Sequence, residues 1–137
     1  MEKIFRASDE DLNAAMQFVS ESVLSSGCSP RQLGQIQLAF EEVFVNVAHY
    51  AYAGKEGEVT VEVSSDADSG AVTIKLSDGG AMFNPLEYKI TDTRVPLDER
   101  QRGGCGILLA KSLMDSVHYF RINGRNIISM TKSLKQN

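Results

Sequence analysis

The stretch 39-AFEEVFVNVAHYAY-52 is almost wholly apolar, yet it contains carboxylate, amide and imidazole side chains. Its apolar residues recur at helical spacing and predict one amphipathic helix. Glu42 and Asn46 are four residues apart and His49 follows three later, so all three share one face. A carboxylate facing an apolar interior is costly unless something pairs with it. The stripe therefore either lines a cavity that holds a cation, water or polar ligand, or is the solvated face of the helix.

The oxygens of this stripe indicate which ligand it would suit. Carboxylate and amide oxygens are hard ligands, and Mg²⁺ is usually bound by one or two of them together with the phosphates of a substrate. Glu41 points about 100° away from Glu42 around the helix, and we expect its side chain to be solvated. The stripe thus favours Mg²⁺ bound through a substrate's phosphates.

The composition is that of an ordinary globular protein, with 42% hydrophobic and 23% charged residues in a chain of 137. This length suits a single domain over residues 1–137. The net charge of −4 argues against binding to the phosphate backbone of nucleic acids. No apolar run could span a bilayer and the first residues lack a signal pattern, so we expect a cytoplasmic protein without membrane contact. Cys28 and Cys105 lack metal-type spacing and are expected to be free thiols.

The periodicities predict strands and helices in the order strand, two helices, two strands, irregular segment, helix and two strands. The strands are expected at 2–8, 58–66, 71–78, 117–122 and 126–134, and the helices at 9–27, 29–52 and 104–116. Ser29-Pro30 is typical of a helix start, and Asn123-Gly124 of a hairpin turn. Hairpins beside helices that must cover one face predict an α+β two-layer sandwich.

A second polar feature, 78-DGGAMFNP-85, follows directly after an alternating strand. Asp78 can accept a hydrogen bond from an exocyclic amine, while the two glycines after it allow a flat ring to approach the main chain. The alternative is an ordinary turn, for which this composition is common.

A third feature is the glycine-rich segment 102-RGGCGILLAK-111, which leads into a predicted helix. Free N–H groups at a helix N-terminus bind phosphate, and glycine allows a close approach. The segment lacks the Gly-Lys-Ser/Thr ending of a Walker A loop. The alternative is a glycine-rich helix start without a ligand.

Together, the three features resemble the N, G1 and G2 boxes of the GHKL ATPase superfamily, which has the Bergerat fold. The boxes are Glu42-x-x-x-Asn46, Asp78-x-Gly80 and the glycine loop 103–106, in this order. More narrowly, the chain resembles the RsbW-type anti-sigma-factor serine kinases, nearly from end to end of their domain. The resemblance implies a mixed, mainly antiparallel sheet with helices on one face.

The resemblance also implies roles for these residues in binding ATP and Mg²⁺. Glu42 is similar to the general base that activates the attacking hydroxyl, and Asn46 to the residue that binds Mg²⁺ and, through it, the nucleotide. Asp78 resembles the residue that bonds the adenine amino group, with Gly80 beside the ring. We expect His49 to be a structural hydrogen-bonding residue at the pocket floor.

The other implied residues surround the phosphates. Residues 86–102 correspond to an ATP lid that is mobile without ligand. The expected phosphate-contacting residues are Arg102, Gly103, Gly104 and Gly106. Arg100 and Arg102 either reach the γ-phosphate as the lid closes or are solvated loop charges.

The implied function is that of a homodimeric serine kinase that phosphorylates a STAS-type anti-anti-sigma protein and otherwise sequesters a sigma factor. Two alternatives stay open: a nucleotide-binding regulatory module without turnover, and a stand-alone GHKL ATPase. The presence of Glu42 favours the two catalytic functions. A short chain without a transducer or phosphoacceptor domain leads us to expect the kinase rather than the ATPase.

Overall fold

A computed structural model describes residues 1–52, 55–82 and 106–134 of the protein. The strands in these residues are β1 (Glu2–Arg6), β2 (Glu58–Ser65), β3 (Ala71–Asp78), β4 (Ser116–Ile122) and β5 (Arg125–Ser133). The helices are α1 (Leu12–Leu24), α2 (Pro30–Asn46) and α3 (Gly106–Leu113). A 3-10 turn at Asp9–Asp11 precedes α1, and a π-helical turn at Val47–Ala51 continues α2.

The strands form one sheet in the order β1-β2-β3-β5-β4. All pairings among these described strands are antiparallel. Strands β3 and β4 run in the same direction, but β5 lies between them, so they do not pair. The predicted α+β sandwich is confirmed, and the expected mixed sheet is antiparallel throughout the described strands.

The helices and the inner face of the sheet share one hydrophobic core. Val61 and Ile74 supply fully buried side chains from the sheet, and Val19, Phe40 and Ala110 supply them from α1, α2 and α3. Fully burying a side chain such as valine or phenylalanine contributes roughly 1.5–3 kcal/mol. Because side chains alternate along a strand, one face of the sheet is apolar, and the helices pack on that face as a second layer. No helix in the described part of the chain is long and apolar enough to cross a membrane.

Helix α2 begins where the sequence predicts, but its α-helical backbone ends at Asn46, before the predicted end at residue 52. Ser29 and Gln32 form a capping box, in which the Ser29 Oγ accepts from the Gln32 N–H at 3.1 Å and the Gln32 Oε1 accepts from the Ser29 N–H at 2.9 Å. After Asn46 the backbone widens into the π-helical turn. Because a π turn holds more residues than an α turn, later side chains leave the predicted stripe.

The turn Asn123-Gly124 joins β4 to β5, as the sequence predicts. Both residues have a left-handed backbone, with φ of +52° and +77°, and a type I′ turn requires this at its two central positions. The turn sets Ile122 opposite Arg125. Asn126, the next residue, therefore points to the inner face of the sheet, where it is buried.

The turn after β1 closes part of that strand's outer edge. The Arg6 backbone N–H donates to the Asp11 Oδ2 at 2.8 Å, and the Arg6 carbonyl accepts from the Ser8 N–H at 2.9 Å. Because this 3-10 turn intervenes, α1 begins at Leu12 rather than at residue 9. The outer edge of β1 is thereby satisfied at Arg6, at the C-terminal end of the strand.

Candidate functional site

Asn46 is the buried polar residue of helix α2, with only 2% of its surface exposed. Its Nδ2 donates to the backbone carbonyl of Glu42 at 2.7 Å. Its Oδ1 is buried and has no hydrogen-bond partner among the described residues. A buried carbonyl oxygen without a partner costs free energy, so this oxygen fits the role of a ligand to a cation.

Glu42 lies one helical turn before Asn46 and is half-buried. Partial burial, and secondly the charge of Glu41, raise the pKa of the Glu42 carboxyl above its ordinary value. Glu41 was expected in solvent, but it is half-buried as well. A carboxylate with a raised pKa suits proton transfer near neutral pH better than an ordinary surface carboxylate does.

The predicted position of His49, at the floor of the pocket, is wrong. It is a structural hydrogen-bonding residue, but its side chain is 38% exposed, and its Nε2 lies 3.0 Å from both carboxylate oxygens of Asp9. It therefore joins the π-helical turn to the 3-10 turn at the surface. The prediction assumed a continuous α-helix, and the π-helical turn rotates His49 away from the face shared by Glu42 and Asn46.

Asp78 ends strand β3 on the inner face of the sheet and is 2% exposed. Its Oδ1 accepts from the Gly80 backbone N–H and from the Asn126 Nδ2, both at 2.9 Å. The carboxylate is thereby held at the point where the strand turns into 79–82. A fixed, buried carboxylate can accept a hydrogen bond from an amine of a ligand.

Gly80 lies against the end of the π-helical turn. A Cβ on Gly80 would stand 2.1 Å from the Ala51 carbonyl oxygen, closer than any real Cβ contact. The Ala81 N–H donates to the same oxygen at 2.9 Å. The glycine is therefore required for this backbone contact, which is a packing role in addition to the ring approach that the sequence suggests.

Tyr52 adds a second link between the π-helical turn and the turn after β3. Its hydroxyl accepts from the Gly79 N–H at 2.9 Å and donates to the Glu58 carbonyl at 2.5 Å. Its ring fills the space that a side chain at Gly57 would need. Through Tyr52 and Ala51, the helix that carries Glu42 and Asn46 is held to the turn that follows Asp78.

The sequence interpretation missed the residues that hold Asp78 from the far side. They are Asn126 on β5 and Tyr119 and Arg121 on β4. A signal for Asn126 was available: it occupies an inward position in a strand whose next inward residues, Ile128 and Met130, are apolar. A polar residue at such a position needs a partner.

Several predicted phosphate-contacting residues lie outside the described residues. These are Arg102, Gly103 and Gly104, together with the expected lid at 86–102. Gly106 is the first residue of α3, so a helix follows the glycine-rich segment along the chain, as the sequence predicts. A helix N-terminus favours anions through its free N–H groups and its dipole.

Among the described residues, no group of three or more His, Cys, Asp or Glu side chains could hold a metal ion. Two buried side-chain oxygens in this part of the chain have no hydrogen-bond partner, the Ser8 Oγ and the Asn46 Oδ1, and the second lies on the helix that carries Glu42. This donor set fits Mg²⁺, which keeps waters and takes few protein ligands when phosphates complete its shell.

Comparisons with known proteins agree with this geometry. The family model for the histidine kinase-like ATPase domain matches residues 5–132. A serine-protein kinase RsbW of Listeria innocua is 30% identical over 116 residues, covering 81% of this chain and 72% of the relative. The RsbW of Staphylococcus aureus strain MRSA252 is 27% identical over 118 residues, with the same coverages. The chain therefore belongs to the histidine kinase-like ATPase family and, within it, to the RsbW type.

Proposed function

We propose that the protein binds Mg-ATP and transfers the γ-phosphate to a serine hydroxyl of a STAS-type anti-anti-sigma protein, and that it otherwise sequesters a sigma factor. The observation that carries this proposal is the placement of Glu42 and Asn46 one turn apart on helix α2. One is a half-buried carboxylate with a raised pKa, and the other presents a buried oxygen without a partner among the described residues. Relatives named as serine-protein kinases support the acceptor class.

Three parts of the site bind different parts of the Mg-nucleotide. Asp78 accepts from the adenine amino group, and the N-terminus of α3 with Arg102, Gly103 and Gly104 receives the phosphates. Asn46 would hold Mg²⁺ through its Oδ1. When bound, Mg²⁺ supplies charge neutralisation along the phosphates.

Glu42 acts as the general base of the transfer. The serine oxygen forms a bond to the γ-phosphorus while the bond from that phosphorus to the β–γ bridging oxygen breaks. The serine proton passes to the Glu42 carboxylate, and ADP leaves with the bridging oxygen. Phosphoryl transfer needs little further covalent chemistry from the protein, since positioning and charge neutralisation dominate.

A regulatory module without turnover and a stand-alone ATPase are the competing functions. A module that only binds nucleotide has no need for a general base. The raised pKa of the Glu42 carboxyl therefore favours a catalytic protein. The choice of a serine acceptor rather than water rests on the RsbW-type relatives, which are named serine-protein kinases.

The test of this function is phosphate transfer from labelled ATP to STAS-type proteins of the same genome. We expect transfer to one acceptor, and we expect Glu42→Gln to slow it about 10²–10⁴-fold, the usual contribution of a general base. Glu41→Gln is the matched control, because it makes the same chemical change one residue away. It should retain transfer, and its acid limb in the pH–rate profile should move to lower pH, since removing the Glu41 charge lowers the pKa of Glu42.

Partner binding without transfer by the wild type would contradict the kinase and support the regulatory module. Phosphate release at the same rate with and without acceptors would support the ATPase. Transfer that survives Glu42→Gln would remove the role of Glu42 as general base.

Asn46→Ala should abolish the effect of Mg²⁺ on nucleotide affinity. Calorimetry with ATP in Mg²⁺ and in EDTA would show wild-type affinity rising with the metal, whereas the variant should lose on the order of tenfold in Mg²⁺ only. Asn46→Asp keeps a ligand oxygen and should keep the Mg²⁺ dependence. An Asn46→Ala variant with the wild-type Mg²⁺ dependence would show that the unpartnered oxygen is not a metal ligand.

We also propose a homodimer, formed by pairing of the β1 edges. Met1 exchanges both backbone hydrogen bonds with Val63, and the Ala7 N–H donates to the Gly57 carbonyl. By alternation, the Ile4 N–H then points away from β2 to the outer edge. Ile4 is 58% exposed, which gives this edge strand an apolar residue to bury.

Light scattering at micromolar concentration should give twice the 15.0 kDa mass of the chain. Ile4→Pro removes the outward N–H without breaking the β1–β2 ladder, as edge prolines do, and should yield a monomer. Ile4→Val keeps the N–H and should stay dimeric. A monomeric wild type would reject the dimer, and a dimeric Ile4→Pro would reject pairing at this edge.

A further inference from the structure

Asn126 is the buried residue that connects Asp78 to the edge strand β4. It is 1% exposed, at the start of β5. Its Nδ2 donates to the Asp78 Oδ1 at 2.9 Å and to the Ala81 carbonyl at 2.8 Å. Both donor hydrogens of the amide are therefore directed to the end of β3 and the turn that follows it.

Arg121 and Tyr119 fix the orientation of this amide. The Asn126 Oδ1 accepts from the Tyr119 hydroxyl at 2.5 Å and from the Arg121 Nη1 at 3.0 Å. A guanidinium can only donate, and the Ala81 carbonyl can only accept. A flipped amide would place donor against donor at Arg121 and acceptor against acceptor at Ala81, so a single orientation is compatible with the surroundings.

The orientation of Asn126 determines which oxygen of Asp78 can serve a ligand. The Asp78 Oδ1 receives two donors, the Asn126 Nδ2 and the Gly80 N–H. A carboxylate oxygen has two favourable acceptor sites, so both sites on Oδ1 are taken and the carboxylate cannot rotate freely. A donor on a ligand must then be accepted by Oδ2.

We propose that Asn126, oriented by Arg121 and Tyr119, is the positioning residue that sets the Asp78 carboxylate for recognition of the amino group of adenine, and that it thereby determines base selectivity. This inference rests on the proposed function, in which Asp78 reads the base. Arg121 strengthens the arrangement from outside, because its Nη1 also donates to the Gly80 carbonyl at 2.9 Å.

A carboxylate in a fixed orientation discriminates between bases by the direction of the hydrogen bond. It can accept from the 6-amino group of adenine, whereas the 6-oxo group of guanine would face it with a second acceptor. A site built to bond one polar group rejects ligands that leave it unpaired much more strongly than it rejects differences in apolar bulk. A carboxylate that turns freely would lose part of this discrimination.

The experiment compares ATP with purine riboside triphosphate, which lacks only the 6-amino group, by calorimetry in Mg²⁺. The variants are Asn126→Ala and Arg121→Met, with Asp78→Asn measured in parallel. Arg125→Met is the matched control, because Arg125 is an exposed arginine on the same hairpin that donates to Ser77 instead. Arg121 is exposed as well, so its variant tests the network even if Asn126→Ala does not fold.

We expect the wild type to bind ATP at least tenfold more tightly than the analogue. Asn126→Ala should lose roughly tenfold for ATP, the effect of one hydrogen bond, and nothing for the analogue. Arg121→Met should show the same selective loss by a smaller factor, and Arg125→Met should behave as the wild type.

Equal losses for ATP and the analogue would show a merely structural role for Asn126 and overturn the inference. The inference would also be overturned if Asn126→Ala and Arg121→Met both kept the wild-type selectivity for ATP over the analogue while Asp78→Asn lost this selectivity. If Asp78→Asn itself keeps the wild-type selectivity, the reading of adenine by Asp78 is wrong, and the inference falls with that part of the proposed function.

Discussion

The site depends on one backbone contact, between the Ala51 carbonyl and the turn that contains Gly80 and Ala81. The Ala81 N–H donates to this carbonyl at 2.9 Å, and the approach is so close that a Cβ on Gly80 would lie 2.1 Å from its oxygen. Helix α2 and strand β3 belong to different layers of the sandwich. This contact joins the ends at which they carry Asn46 and Asp78, so that the residues proposed to bind the metal and the base can serve one ligand.

The π-helical turn ends at this contact and interrupts the regular geometry of the helix. It begins directly after Asn46, the residue whose Oδ1 lacks a partner among the described residues. π-helical turns are rare and occur frequently at functional sites. Here the turn moves His49 to the surface, where it pairs with Asp9, and ends at Ala51 against the turn after β3. Because the turn interrupts the α-helix, the polar side chains do not form one continuous stripe. The end of the helix contacts the turn after β3 instead.

Local patterns predicted the elements of the fold, and longer-range contacts explain what they missed. Ser29-Pro30 and Asn123-Gly124 were sufficient to locate a helix start and a hairpin, because capping and turn chemistry act over a few residues. Asn46 and Asp78 were identified from spacing and resemblance, and both are buried polar residues. The 48-residue separation of Asn126 from Asp78 shows why their bond was not predicted: it depends on strand order, and β5 pairs with β3 only once the sheet is assembled. Roles for Arg102, Gly103 and Gly104 stay predictions, since these residues lie outside the described parts of the chain.

The most direct test of this account is the affinity for Mg-ATP of Gly80→Ala beside Gly79→Ala, measured by calorimetry with thermal unfolding in parallel. A Cβ on Gly79 would meet only ordinary contacts, at 3.5 Å from Arg125 and 3.9 Å from Tyr52, so Gly79→Ala should bind and unfold as the wild type. Gly80→Ala must separate the turn from Ala51. We predict a free energy of unfolding lower by about 1–3 kcal/mol, as for other overpacked sites, and an affinity for Mg-ATP weaker by roughly tenfold or more. A Gly80→Ala variant that keeps both the stability and the affinity of the wild type would contradict the claim that this contact assembles the site.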